Sequence, residues 1–443
     1  MRAVSGFDAT VSATKSLSAW WAVTGDNRLL EAHDTAVQAM IGTLEKYGAT
    51  TRIRRDGGRL HPDTNGLTIA AFRQTTSRLD DPQIHAHVVI SAKVQVDSGG
   101  WYALDARLLK KHQRTLGGIY QSVLRAELSQ QFGVSFGEIV TGQAEILGVP
   151  ETLLDAYSKR GVQVADALAD KLSVFTTREG REPSRFERAA MEREAAVDTR
   201  ARKTGMTVTD LRPRWQTEAK ELRITPADLA RDIRVAGRTA EPVQHTTAAD
   251  VLAVLAEQSS VWHRMDVLRT LTDTLRPHPG LTGQRWAEFL DRAASNILEH
   301  SINLDPALDS DARRRMSDGR SIWIEPIAAH HTSEEVLAQE ERILTWAIDQ
   351  QQALPQPSVT LEPGRLDLLQ QHAARAVAGL DRLVIVVGPA GAGKTTMLTA
   401  AGHDLTRHHR NVYAGAPTAK AARTLGRETG MPADTVAKLV YEW

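Results

Sequence analysis

The sequence predicts a multidomain protein of the α+β and α/β classes, in which an α+β domain comes first, a helical region follows and an α/β domain closes the chain. The first 105 residues alternate strand-like segments rich in β-branched residues with turns rich in Gly and Asp. Residues after 380 instead combine a continuous apolar run, a glycine-rich loop and a helical pattern, which is typical of α/β domains. At 443 residues the chain also exceeds one ordinary hydrophobic core.

The predicted α+β domain combines strands with long helices. Strands are expected near 6–13, 50–55, 67–75 and 84–95. Helical spacing between Ser16 and Tyr47, interrupted near Gly25, predicts two helices that pack on the sheet. A further helix is predicted from about 108 to 132, because Gly133 then supplies a C-terminal cap.

The middle of the chain is predicted to be helical. Charged helical patterns run from about 150 to 235, and apolar periodicity marks 246 to 300. A capping-box pattern opens a helix over about 332–349, and Pro355 then marks a boundary. We therefore predict three domains, at 1–235, 236–355 and 356–443.

The composition excludes several kinds of site. Lysine plus arginine equals aspartate plus glutamate at 54 each, so any nucleic-acid surface must be local. The absence of cysteine excludes disulfides, thiolate zinc sites and a cysteine nucleophile. We find neither an apolar stretch long enough for a membrane helix nor an apolar signal core, so we expect a cytoplasmic protein without membrane insertion.

A phosphate-binding loop is the most specific motif of the sequence. The apolar run Leu383–Val387 predicts a strand, and G-x-x-x-x-G-K-T and a helical pattern follow it, which is the context that the motif requires. Glycines let backbone amides face phosphate oxygens, the lysine neutralises phosphate charge, and the threonine hydroxyl binds Mg²⁺. The sequence therefore predicts ATP with Mg²⁺ as a ligand of Gly388, Gly391, Gly393, Lys394, Thr395 and Thr396.

Two histidines at positions i and i+2 of a predicted strand form a second candidate site. His85 and His87 project from one face of such a strand, so their imidazoles can share a divalent cation. A hydrogen-bonded structural pair explains the same pattern, and these two residues alone leave both interpretations open.

The residues around this pair resemble a known family. The segments FRQTTSR at 72–78 and DPQIHAH at 81–87 are similar to the signature of MobF-type conjugative relaxases, the TrwC/TraI family of relaxase–helicases. The segment GFDATVSATKSLS at 6–18 is similar to an upstream block of the same family. The resemblance implies a relaxase domain of the HUH type with an antiparallel sheet, then a helical middle region, then the start of a RecA-like P-loop helicase domain.

The resemblance also implies a metal site. In the family three histidines hold a divalent metal that polarises the scissile phosphate, and an N-terminal tyrosine attacks the phosphorus. His85 and His87 match two of the ligands, and Gln74 stands at the position of the third. Because an amide oxygen is a harder, neutral donor, we expect Mg²⁺ or Mn²⁺ rather than Zn²⁺. Asp8 matches the family's catalytic carboxylate, which abstracts a proton or orients a histidine.

The nucleophilic tyrosine of the family has no counterpart here. The family's tyrosines precede the block that contains Asp8, whereas the first tyrosine of this sequence is Tyr47. No acidic motif of the Walker B type follows the phosphate-binding loop. We therefore expect a relaxase–helicase fragment truncated at both ends, which forms no covalent 5′-tyrosyl adduct with DNA.

DNA is the partner that the resemblance implies. Arg73 and Arg78 are expected to contact DNA phosphates. Thr418 and Lys420 lie in a segment that resembles the single-strand-contacting loop of RecD-like superfamily 1 helicases. The implied substrate is single-stranded plasmid DNA at an origin of transfer, with relaxosome accessory and coupling proteins as further partners.

Two other function classes fit parts of the sequence. A stand-alone RecD-like ATP-dependent DNA helicase would use the phosphate-binding loop and leave the histidine pair structural. A non-catalytic DNA-binding protein would bind the origin with neither nicking nor ATPase activity. Metal-dependent DNA binding through the histidine pair separates the relaxase from the helicase.

We expect the purified chain to bind ATP weakly and to hydrolyse it at a negligible rate. A phosphate-binding loop without the acidic motif lacks an anchor for Mg²⁺ and a group that orients the attacking water. Phosphate release, measured with and without single-stranded DNA, checks this. Sustained DNA-stimulated hydrolysis that is lost in Lys394→Ala would contradict it.

Overall fold

The computed structural model describes residues 4–55, 58–200, 204–239, 246–305, 313–327, 329–350 and 366–442. The chain divides into two compact units, Met1–Glu334 and Glu335–Trp443. The first boundary of the predicted three-domain division falls within the helix Pro226–Thr239, and the second, at 355–356, lies outside the described residues.

The first part of the first unit combines short strands with two long helices. Its elements are β1 (Gly6–Ser12), α1 (Lys15–Thr24), α2 (Arg28–Gly48), β2 (Ile53–Arg55), β3 (Gly58–Leu60), β4 (Ile69–Thr76), β5 (Pro82–Ser91), β6 (Lys93–Gln95) and β7 (Trp101–Ala103). β1, β5 and β4 form an antiparallel sheet with β5 at its centre, while β2 pairs with β3 and β6 with β7. Strands therefore form in all four predicted segments, and the segment 84–95 is divided between β5 and β6.

Strand β5 has one buried and one accessible face. Ile84, Ala86, Val88 and Ile90 are all buried and alternate with more accessible residues. The helices α1 and α2 pack against this strand. Burial of alternate apolar residues fixes which side chains face away from the helices, because successive strand residues point to opposite faces.

The rest of the first unit is largely helical. Its elements are α3 (Ala106–Lys111), α4 (Gln113–Phe132), α5 (Glu151–Ala156), α6 (Lys159–Glu179), α7 (Arg185–Asp198), α8 (Val208–Glu221), α9 (Pro226–Thr239), α10 (Ala248–Gln258), α11 (Arg264–Thr274), α12 (Gly283–Glu299), β8 (Ile302–Asn303) and β9 (His331–Thr332). α2 and α4 pack along each other, and α11 and α12 pack on α4. The residues after 246 therefore share the core of the first unit.

The helix predicted over 108–132 is divided. α3 ends and α4 begins at His112, whose backbone angles of φ −101° and ψ 7° lie outside the helical region. The predicted end of the helix is confirmed, because Gly133 adopts a left-handed conformation with φ 65° and its amide bonds to the carbonyl oxygen of Ser129.

The second unit contains a phosphate-loop segment between helices. Its elements are α13 (Glu334–Gln350), α14 (Leu368–Ala378), α15 (Lys394–Arg407), β10 (Ala414–Ala416), α16 (Ala419–Thr429), β11 (Ala433–Thr435) and α17 (Val436–Glu442). α14 and α15 enclose a small core that includes the buried residues Ala374, Ala378, Met397 and Ala401. β10 and β11 pair in parallel.

The strand predicted at Leu383–Val387 does not form. Within the described ranges no strand is hydrogen-bonded to this segment. Ile385 is 67% exposed and Val387 is 91% exposed, so the apolar run lacks the ladder and the cover that a buried strand needs.

No helix in the described ranges is both long enough and apolar enough to cross a bilayer.

We expect the first unit to lose stability as the pH falls below about 6. Burial lowers the pKa of His33 to about 3 and that of His112 to about 4, from an ordinary value of 6.5. A histidine whose pKa is lower in the folded state stabilises the fold above its unfolded pKa, and that contribution is lost as the pH falls toward the folded pKa. Between about pH 6 and pH 4, each histidine should lower the free energy of unfolding by about 1.4 kcal/mol per pH unit.

Urea denaturation followed by tryptophan fluorescence at several pH values measures this slope. His112→Gln should reduce the pH dependence, whereas His278→Gln, which changes an exposed histidine of the same unit, should leave it as it is. Equal slopes in the wild type and His112→Gln would disprove the assignment.

Candidate metal and nucleic-acid site

The sheet places His85, His87 and Gln74 on one face. Residues paired across an antiparallel ladder lie on the same face of the sheet. Gln74 of β4 pairs with His85, and on the other side of β5 Ser12 and Thr10 of β1 pair with His85 and His87. The centroids of the two imidazole rings are 5.3 Å apart. The structure therefore brings together the three residues that were predicted as metal ligands.

Each histidine is oriented through its Nδ1 atom. His85 donates from Nδ1 to the carbonyl oxygen of Gln83 at 2.9 Å. His87 donates from Nδ1 to the two carboxylate oxygens of Asp8 at 2.9 and 3.1 Å. Because these oxygens accept, Nδ1 of each ring carries a proton, and the neutral tautomer with this proton has its lone pair on Nε2. Histidines that bind metals are oriented in the same way, because the ring nitrogen that does not bind the metal donates a hydrogen bond to an acceptor.

This donor set fits a divalent cation. The two Nε2 lone pairs lie on one face, and Gln74, in register with His85, brings an amide oxygen to the same face. In the parts of the chain that the structure describes, no group of three or more His, Cys, Asp or Glu is arranged to hold a metal. An amide oxygen beside two imidazoles suits Mg²⁺ or Mn²⁺ better than a set of three imidazoles would.

Two residues of the 6–18 block position the histidine strand, and neither was predicted from the sequence to have a role. Ser18, which is buried, accepts a hydrogen bond at 3.0 Å from the amide of Ile84, directly before His85. Lys15 donates from Nζ to the carbonyl oxygen of Pro82 at 3.3 Å, and burial lowers the pKa of its ammonium. The only sequence signal for this role is the polar pattern K-S-x-S at the start of an otherwise apolar helix.

The histidine face opens into a cavity of about 650 Å³, here called the metal-face cavity. Gln74, His85 and His87 line it. Its basic wall consists of Lys15, Arg78, Arg160 and Arg200. Asp81 also lines the cavity, and burial raises the pKa of its carboxyl group. A wall dominated by cations suits a phosphodiester chain.

The two arginines predicted to contact DNA lie in different places. Arg78 lines the metal-face cavity. Arg73 pairs in register with Ala86, so it lies on the helix-facing side of the sheet, where it forms an ion pair with Asp34 of α2. Contact between Arg73 and DNA would require this ion pair to open.

None of the six tyrosines, all of which lie in the described ranges, lines the metal-face cavity. Tyr47 donates to Asp291, Tyr120 is hydrogen-bonded to His33 at 2.7 Å, and Tyr157 donates to the carbonyl oxygen of Trp215 at 2.5 Å. Burial raises the pKa of all three phenols, which disfavours the phenolate form that attacks phosphorus.

The phosphate-binding loop depends on two glycines with left-handed backbones. Gly391 has φ 79° and Gly393 has φ 70°. The left-handed backbone favours glycine at Gly393, and a Cβ atom there would also displace the Gln370 side chain, whose Nε2 would lie 2.5 Å away. Lys394 opens α15 and donates from Nζ to the carbonyl oxygens of Gly388 and Pro389 at 2.8 and 2.7 Å.

The two threonines of the predicted phosphate loop lie at the start of α15. Thr395 and Thr396 occupy the first turn of this helix after Lys394.

The two residues predicted to contact single-stranded DNA in the second unit lie at the start of α16. Thr418 caps α16, because its Oγ1 accepts a hydrogen bond at 3.2 Å from the amide of Ala421. Lys420 is exposed in the first turn of α16. The Thr418 hydroxyl therefore has a structural task that does not require DNA.

The chain thus combines a two-histidine face that has a basic wall with a segment of the phosphate-loop pattern. This combination suits a class of protein with sites for nucleic-acid phosphates and for a nucleotide. Family models agree with this class. The model of the TrwC relaxase matches residues 2–222, and the model of an AAA domain matches residues 365–443. The chain belongs to the TrwC relaxase family, the MobF type of conjugative relaxase.

Individual relatives are conjugation proteins. The multifunctional conjugation protein TraI of Escherichia coli is 29% identical over 323 residues, which cover 68% of this chain and 17% of TraI. The probable conjugal transfer protein TraA of Sinorhizobium fredii is 32% identical over 203 residues, which cover 44% of this chain and 17% of TraA. This chain therefore spans about 17% of the length of these curated relatives.

A solved structure is also similar. It is the conjugative relaxase TrwC in complex with oriT DNA in a copper-bound form, with 32% sequence identity and a TM-score of 0.44. The similarity covers 50% of this chain and 72% of that chain.

We expect Gln74→His to tighten Zn²⁺ binding by at least about tenfold, because a third imidazole is a better donor for this metal than an amide oxygen. Isothermal titration with Zn²⁺ and with Mn²⁺ measures both affinities. Gln74→Ala is the matched control, since it removes the amide without adding a donor. Unchanged Zn²⁺ affinity in Gln74→His would show that residue 74 does not reach the cation.

Proposed function

We propose that this chain forms the single-strand-binding and metal-binding part of a conjugative relaxase, joined to the nucleotide-binding start of a helicase. Its substrate is single-stranded plasmid DNA at an origin of transfer, handled in the cytoplasm. The observation that carries the proposal is the shared face of His85, His87 and Gln74 inside a cavity with a basic wall. Membership of the TrwC relaxase family supports the same assignment.

The cation ligands and the basic wall of the proposed site have different roles. His85, His87 and Gln74 would hold a divalent cation, Mg²⁺ or Mn²⁺ by preference, which supplies Lewis-acid polarisation of the scissile phosphate. The basic wall would bind the flanking phosphates. These residues bind and orient the strand, and none of the tyrosines of this chain is placed to attack it.

Asp8 has two possible tasks in the family, and its contacts here favour one. Its carboxylate accepts the Nδ1 proton of His87 through both oxygens. That contact fixes the ring and directs Nε2 toward the cation, as a second acceptor does in other metal sites. We assign Asp8 to histidine orientation.

The second unit contributes a nucleotide site. The loop with its two left-handed glycines leads into the start of α15, where unpaired backbone amides of the first turn and the helix dipole favour an anion. Lys394 would exchange its two carbonyl partners for β- and γ-phosphate oxygens. ATP with Mg²⁺ is the proposed ligand, and unwinding of DNA is the proposed task of the intact protein.

We expect Mn²⁺ to strengthen the binding of single-stranded DNA, and His85→Ala combined with His87→Ala to abolish that effect. The cation links the histidines to a phosphate, so binding without the histidines should be independent of the metal. Fluorescence anisotropy of labelled oligonucleotides in Mn²⁺ or in EDTA measures the difference. Lys394→Ala should behave like the wild type.

The matched control is His278→Ala combined with His300→Ala, which removes two exposed histidines of the same unit. If DNA binding is independent of Mn²⁺ in the wild type and is lost in Lys394→Ala, the stand-alone helicase is the better description. Metal-independent binding in every variant would favour a non-catalytic DNA-binding protein.

A further inference from the structure

A second cavity lies across strand β1 from the cation donors. It measures about 370 Å³ and is here called the α4 cavity. Its walls come from the start of α4, from the loop 141–143, from the first residue of α7 and from α11. Most of these residues lie outside the segments that carried the family resemblance, so neither the motifs nor the proposed function assigns this cavity a role.

The two cavities meet at β1. Thr10 and Ser12 line both of them. These two residues lie in register with His87 and His85, so the shared boundary is the histidine face itself. β1 is an edge strand of its sheet, and within the described ranges no strand other than β5 is hydrogen-bonded to it. A nucleic-acid strand that runs from the histidine face across β1 would therefore enter the α4 cavity directly.

Helix α7 spans the distance between the two cavities. Its first residue, Arg185, lines the α4 cavity, and Ala196 and Val197 near its end line the metal-face cavity. Ala196 lies eleven positions after Arg185, which corresponds to about 17 Å along the helix at 1.5 Å per residue. Helix α7 therefore reaches from one cavity to the other, and the route from the histidine face across β1 into the α4 cavity is here called the passage.

The walls of the α4 cavity are basic although the whole chain has a net charge of zero. Arg114, Arg185 and Arg269 line the cavity, and Asp273 is the carboxylate among the lining residues. Oδ2 of Asp273 lies 4.0 Å from Nε of Arg269, so these two residues form an ion pair. Within the described ranges no ion pair is found for Arg114 or Arg185, so two positive charges face the passage without a carboxylate.

We infer that the α4 cavity binds the stretch of single-stranded DNA that continues beyond the scissile phosphate. The inference rests on the proposed function, because it takes the histidine face as the place where that phosphate lies. A B-form duplex, whose major groove alone is about 12 Å wide, does not fit a cavity of 370 Å³, whereas a single strand does. The phosphates on one side of the reacting bond bind in the metal-face cavity, and those on the other side bind Arg114 and Arg185.

The test compares short and long oligothymidylates in Mn²⁺ by fluorescence anisotropy. Arg114→Gln combined with Arg185→Gln should weaken the binding of a 20-mer by about tenfold and lower its salt slope by about 1.4, since each contact contributes about 0.7 for single strands. The affinity for a 5-mer, which can make its phosphate contacts at the metal-face cavity without reaching Arg114 and Arg185, should change by less than about twofold. Lys111→Gln combined with Arg188→Gln, which removes two exposed charges of α3 and α7, is the control and should leave both affinities unchanged.

A steric variant tests the same passage without changing charge. A Cβ atom on Gly117 meets nothing within 4 Å, so Gly117→Leu is compatible with the fold and places a side chain in the α4 cavity. It should also weaken binding of the 20-mer but not of the 5-mer.

The outcomes separate the inference from the proposed function. If the wild type binds both oligonucleotides and the two cavity variants match the control, the inference is wrong and the proposed function stands. If the wild type binds neither oligonucleotide in Mn²⁺, the proposed function fails and the inference fails with it.

Discussion

The alternation of strand β5 is the constraint on which the first unit depends. Its buried residues anchor the sheet to α1 and α2, and its intervening residues include both histidines. A slip of one residue against β1 would bury the imidazoles and expose Ile84 and Val88. The hydrogen bond from the Ile84 amide to Ser18 holds the register from outside the ladder, because it ties the strand to α1 directly before His85. The packing of the core and the geometry of the site are therefore set by the same strand.

Charge is distributed unevenly in a chain with no net charge. Many carboxylates are engaged by neighbouring cations within the fold, as Asp34 is by Arg73 and Asp105 is by Arg52 and Arg107. The cavities on either side of β1 instead collect arginines and lysines with few acids beside them. A local potential of this kind attracts a polyanion although the mean charge is zero. Composition alone therefore could not have indicated the surface at which we propose that nucleic acid binds.

The sequence predicted those features that depend on local spacing and missed those that depend on distant contacts. The i and i+2 spacing of His85 and His87 was enough to predict a shared face. The glycine spacing predicts a phosphate loop before α15, and its binding of a nucleotide stays a prediction. The ion pair of Arg73 with Asp34 of α2 and the role of Ser18 depend on partners 39 and 66 residues away, which no local pattern indicates. The strand predicted at Leu383–Val387 failed for a related reason, since an apolar run becomes a strand only where another strand pairs with it.

Gln74 beside the histidine pair has a kinetic consequence. If its amide oxygen completes the donor set, the cation is bound by fewer strong ligands than three imidazoles would provide, and weaker coordination means faster exchange with the surroundings. The metal in such a site is then chosen by the free concentration of each ion in the cell rather than by the order of intrinsic affinities. A protein with this face would be loaded by the abundant hard cations and would lose them readily on dilution.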